Sequence, residues 1–167
     1  MKKIGLIVGV VVVVAGSGGG VYWFLLGGST AFAGAAEEPT PVHVEGRLGP
    51  HIVLKERVFN LANGPGGAKH FLKLATTIEF ETTDAEWYKL AGEPLVLALE
   101  EFDHDEIGSG RLIIEDIITT IVSGRRTEDL ATAEGKALLR EEIRAAVAEE
   151  IAHPHVYRVL FTSFITD

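Results

Sequence analysis

The sequence predicts a mixed α/β (α+β) fold: a small domain of strands flanked by helices, carried behind a single N-terminal transmembrane helix. Three observations predict it. Residues 4–26 form an unbroken run of uncharged, mostly apolar positions. Residues 70–81 alternate apolar and polar side chains with a period of two, as a half-covered strand does. Leu139, Ile143, Val147 and Ile151 recur at helical spacing and make one apolar stripe.

The N-terminal run comes first. As a helix it measures about 35 Å at ~1.5 Å per residue, enough to cross a hydrocarbon core of ~30 Å. A cleaved secretion signal has an apolar region of only ~7–15 residues. That alternative ends the region near Val14 and uses Ala31-Phe32-Ala33 as a cleavage site. Against it, the apolar run resumes after the glycines at 16–20 and sets Tyr22 and Trp23 at the far interface, where amphipathic rings are favoured. A retained span is predicted. Lys2 and Lys3 flank its start and the next basic residue is Arg47, so residues 1–3 are a cytoplasmic tail and the chain from residue 27 lies outside. The spacings Gly5-x-x-x-Gly9 and Gly16-x-x-x-Gly20 would allow close helix packing in lipid, although small residues in a valine-rich span explain them equally.

Residues 27–46 are rich in Gly, Ala, Ser and Pro and read as a flexible linker, which leaves 47–167 as the folded domain. Ile52, Val53, Val58 and Phe59 predict a strand over 51–61, followed by a turn at Asn63-Gly64-Pro65-Gly66-Gly67. The alternation over 70–81 predicts its antiparallel partner. Asp84 caps a short helix through Leu90, Pro94 opens another through Phe102, and the glycines at 108 and 110 break it. Ile114, Ile117, Ile118 and Ile121 predict a core-facing helix over 112–123, stopped at Gly124. Thr132 is the N-cap of a long helix through Ile151. The last strand spans 156–166, with Tyr157, Val159, Phe161 and Ile165 on one face and Leu160 and Phe164 on the other. Because both faces are apolar, a central place in the sheet is predicted.

Charge and composition exclude several function classes. All 24 acidic residues lie beyond position 36, as do the 15 basic residues except Lys2 and Lys3, so the distal part carries a net charge of −11. Such a surface repels phosphate, and no nucleic-acid partner is expected. Cysteine is absent, which removes disulfides, thiol nucleophiles and cysteine-ligated metals. Gly64, Gly66, Gly67 and Lys69 lack the spacing of a phosphate-binding loop and read as a hairpin turn. Asp103-His104-Asp105-Glu106 lacks the glycine and terminal glutamate of a calcium loop and reads as a solvated acidic loop. His153 and His155 are placed by strand alternation on opposite faces, which spoils a shared metal. Ser109, Ser123 and Ser163 have no nucleophile elbow around them, and Glu141, Glu142, Glu149 and Glu150 sit on a solvated helix face. The chain therefore reads as no enzyme, with no cofactor and no metal.

Three ordered blocks carry a resemblance. The first is Ile114-Glu115-Asp116-Ile117-Ile118 closing at Ile121-Val122-Ser123. The second runs from Thr127-Glu128-Asp129-Leu130 through Glu134-Gly135-Lys136 to Leu139-Arg140 and Ile143. The third is Val156-x-x-Val159-x-Phe161-Thr162-x-Phe164. Together with Phe59-Asn60-Leu61 and Phe71-Leu72-Lys73-Leu74 upstream, they resemble the flagellar basal-body-associated FliL family. Asp116, Ser123, Gly135, Lys136, Val159, Phe161, Thr162 and Phe164 are the positions that match its signature. The resemblance implies a non-enzymatic protein of the bacterial inner membrane and flagellum basal body, with a periplasmic domain similar to the stomatin-type SPFH fold. It also implies a homo-oligomeric ring around the MotA and MotB stator near the basal-body ring, supporting torque generation, flagellar rotation and chemotactic motility. A membrane-anchored periplasmic adaptor of another envelope complex is the alternative.

Overall fold

The computed structural model describes residues 40–64 and 67–167. The 4–26 run, with Lys2, Lys3, Tyr22 and Trp23, lies outside the described residues, as does most of the linker. Among the described residues no helix is long and apolar enough to cross a membrane.

The described chain is mixed α/β. Three antiparallel strands lie in the order β1-β2-β3: β1 is His51–Asn60, β2 is Phe71–Phe80 and β3 is Val156–Thr166. Between β2 and β3 the chain makes a 3-10 turn over Ala85–Lys89 and then the helices α1 (Glu93–Glu101), α2 (Gly110–Ser123), α3 (Thr127–Leu130) and α4 (Ala133–Glu150). The predicted caps of two elements are in place. Asp84 accepts from the Glu86 amide at 2.8 Å, and Thr132 accepts from the Gly135 amide at 3.0 Å.

Helices α2 and α4 cover one face of the sheet, α2 against β1 and α4 against β3. Ile114, Ile118 and Val122 on α2, and Leu139, Ile143 and Val147 on α4, each recur every four residues and are buried. They meet the even-numbered side of β2, where Leu72, Leu74, Ile78 and Phe80 are buried as the alternation requires. One apolar core therefore binds the two layers.

The structure corrects the sequence at four places. β3 stands at an edge of the sheet, and β2 is the strand paired on both sides. Two irregularities in the β2–β3 register, at Tyr157 and at Thr162, reset the alternation of β3. Val156, Val159, Phe161 and Phe164 thus lie opposite Phe80, Ile78, Thr76 and Leu74 on the helix side, while Ile165 lies opposite Lys73 on the other face. Secondly, α1 does not end at Phe102 but runs on to the glycines predicted to break it. It continues as a wider π-helical turn over Phe102–Ile107, with the Gly108 amide donating to the Asp103 carbonyl at 2.9 Å, so the acidic stretch 103–106 is helical. Phe102 holds it in place by stacking near Phe80, with ring centroids 5.4 Å apart. Thirdly, the His153 and His155 rings come within 4.8 Å of each other. They sit at a bend ahead of β3, where strand alternation does not apply. Fourthly, Glu79, on the polar side of the β2 alternation, is fully buried.

Candidate interaction surface

The polar side of β2 is covered at one end by residues 42–50. Val42 bridges to Thr82, and the Phe80 amide donates to the Pro50 carbonyl at 2.8 Å. Here the Glu79 carboxylate accepts from the Gly49 amide at 2.7 Å and from Arg158 Nε at 2.6 Å. Both oxygens of a buried charge are thereby satisfied, which such a group requires. A side chain at Gly49 would place a Cβ 3.0 Å from the Phe80 carbonyl oxygen, so the close approach calls for glycine. Tyr88 donates to the Val42 carbonyl at 3.0 Å, and its burial together with the Glu79 charge pushes its hydroxyl pKa up. An open cleft of about 290 Å³ beside it is lined by Arg47, Leu48, His51, Trp87, Tyr88, Leu90 and Leu95. It brings no nucleophile and base together.

A different arrangement forms where α4 crosses β3. Gly135 lies in the first turn of α4, where a Cβ would collide with the Asp129 carbonyl of α3. Only glycine lets α4 start this close to α3. That start sets Lys136 Nζ 4.7 Å from the centroid of the Phe164 ring. One turn later Arg140 Cζ lies 4.9 Å from the centroid of Phe161. The two rings are themselves 5.4 Å apart, so cation and ring alternate along the strand edge. Neither cation has a carboxylate within 4.0 Å among the described residues, a state they share with Arg47, Lys55, Lys69 and Arg126, whereas Arg57, Lys73, Lys89, Arg111, Arg125, Arg144 and Arg158 are paired.

The two sheet edges differ. Along β1, Arg111 donates to the Val53 carbonyl at 3.1 Å while pairing with Asp103, and Arg57 reaches Glu115 on α2. Lys55, Glu56 and Arg57 also place three consecutive charges in that strand. These are devices that close a strand edge. β3 pairs with β2 alone among the described residues, and Val159–Thr166 carries no charge.

Of the positions singled out by sequence, the structure brings Lys136, Phe161 and Phe164 together and seats them on Gly135. Thr162 lies in the same stretch of β3, its hydroxyl 3.4 Å from the Ala75 carbonyl oxygen. Val159 is a core residue beneath. Asp116 and Ser123 stand exposed on α2, with no hydrogen bond or ion pair from their side chains among the described residues. Sequence reasoning missed Arg140 as a ring partner, although its spacing of four from Lys136 on a helix carries the signal. It also missed the Glu79–Arg158 pair, which no local pattern marks.

Comparison with curated proteins finds no match. A family model described as Flagellar basal body-associated protein FliL matches residues 52–166, a span that takes in the strands and helices of the described residues apart from His51 at the start of β1. With the sheet but for His51 and its helix layer inside that match, the chain belongs to the FliL family.

Proposed function

We propose that this chain is a non-enzymatic flagellar motor protein that works at the basal body beside the stator and supports torque generation, flagellar rotation and chemotactic motility. The family match over 52–166 carries the reading. A single inner-membrane pass at 4–26 with the N-terminus in the cytoplasm would deliver the acidic domain to the periplasm, and the linker would hold it near its partners at a raised local concentration. The ring of copies, the likeness to the stomatin-type fold and the contacts with MotA, MotB and the basal-body ring belong to the same proposal. An edge strand that pairs on one side alone among the described residues is what supports a scaffold role. Deleting the gene is expected to impair swimming, and crosslinks from the outer domain are expected to reach stator units. Normal motility without such crosslinks would remove the proposal.

A further inference from the structure

We propose that the open edge of β3 is a docking strip for an extended, acidic segment of a partner protein, which joins the sheet as a fourth strand with its carboxylates facing Lys136 and Arg140. Placing that partner in the flagellar motor rests on the function proposed above, whereas the strip itself rests on the geometry of β3 and α4.

The backbone of an edge strand offers a row of unsatisfied N–H and C=O groups, and an extended peptide satisfies them by main-chain pairing. Such pairing gives affinity without sequence preference, so specificity falls to the flanking side chains. On the helix side of the β3 edge those flanks are Lys136 and Arg140. A guanidinium or ammonium that lies on a ring keeps N–H groups directed away from it, free to bind a carboxylate. The irregularity at Thr162 divides the edge into Arg158–Phe161 and Ser163–Thr166, and each part has one of the two cations over its aromatic residue. In an added strand every second side chain points toward the helix layer. Carboxylates at those positions would meet two cations that rest on rings without a carboxylate partner among the described residues.

Charge also decides against a second β3 as the occupant. Two copies paired edge to edge would bring Lys136 and Arg140 of one copy toward the same cations of the other, and like charges across such a pair are unfavourable.

The test uses the full chain in detergent micelles and a fluorescent peptide of about nine residues that alternates glutamate with valine or threonine. Two further peptides carry lysine in place of glutamate, or N-methyl groups on alternate backbone amides. The glutamate peptide is expected to bind, and the lysine and N-methylated peptides to bind at least about tenfold more weakly. K136M/R140M, which keeps an apolar stem on each ring and removes the charge, is expected to lose about tenfold in affinity, while Lys55→Glu on β1 stays within about twofold. Equal binding of the N-methylated peptide would reduce the strip to plain charge attraction and overturn the proposal. An equal loss on Lys55→Glu would overturn it too. If no peptide binds and K136M/R140M instead dissociates an oligomer in sedimentation, the edge is a contact between copies and the proposal fails. Because binding is read on the isolated chain, its failure is distinct from normal motility in the deletion strain, which bears on the motor reading alone.

Discussion

The two edges of the sheet are built from strands of similar length and treated in opposite ways. β1 spends three charged residues and an arginine from α2 on closing itself, and β3 spends none. Both strands are bulged, so the bulges alone do not separate them. What separates them is the use made of cations. Arg57 and Arg111 at β1 are bound to carboxylates, Arg57 while also lying over the Phe59 ring, whereas Lys136 and Arg140 beside β3 rest on aromatic rings without a carboxylate. Among the described residues, the two cations that rest on rings without a carboxylate partner thus both lie beside β3.

The largest expected effect is on the helix that flanks the open edge. Gly135→Ala forces a Cβ into the Asp129 carbonyl and should destabilise the domain by about 3 kcal/mol, because the obstacle is backbone and does not swing aside. Denaturant unfolding reads this directly, and a wild-type midpoint would break the link between Gly135 and the placement of Lys136. Next, Glu79→Ala strands the Gly49 amide and unpairs Arg158 at the inner end of β3, at a cost of about 2 kcal/mol. Thermal melting of the variant checks it.

Arg111→Ala sharpens the comparison with a smaller energy. The salt bridge is partly exposed and worth less than about 1 kcal/mol, yet its loss uncovers the Val53 carbonyl. Self-association in sedimentation is expected to rise with little change in melting temperature. If β1 stays as well behaved as before, the cap is not what closes that edge.

The smallest effect is a pH dependence across the uncovered sheet face. The Lys73 ammonium, 2.6 Å from the Glu56 carboxylate, lowers the pKa of that group, and the Ser163 hydroxyl on β3 lowers it further. A depressed folded pKa contributes stability that is present above the unfolded value and lost as pH falls through the folded one. Glu56→Gln should therefore lower stability slightly at neutral pH and flatten the acid limb, with the two curves converging in acid when denaturant unfolding is followed across pH.

Much of this architecture was legible in local pattern. The strand 156–166 and the caps Asp84 and Thr132 follow from period, β-branching and capping chemistry, and the structure has them at those residues. The position of β3 was not legible, because an apolar strand looks the same whether a second strand or an open edge lies beside it. Its two bulges further mixed the faces that alternation assigns. α3 is a four-residue helix, too short to show a period, and its signal was only the Asp129 side chain returning to the Arg126 amide at 3.1 Å. Glu79 read as a solvent-facing strand residue because its cover, residues 42–50, comes from a distant stretch partly assigned to the linker. The cation and ring pairs were half visible: Lys136 and Phe164 stood among the matched positions, while their contact depends on how α4 crosses β3.

Amide hydrogen exchange on the full chain, with and without the glutamate peptide, tests the difference between the edges most directly. Protection should appear along Val159–Thr166 of β3 and leave β1 unchanged. Protection gained along His51–Asn60, or gained at neither edge while the peptide is bound, would contradict it.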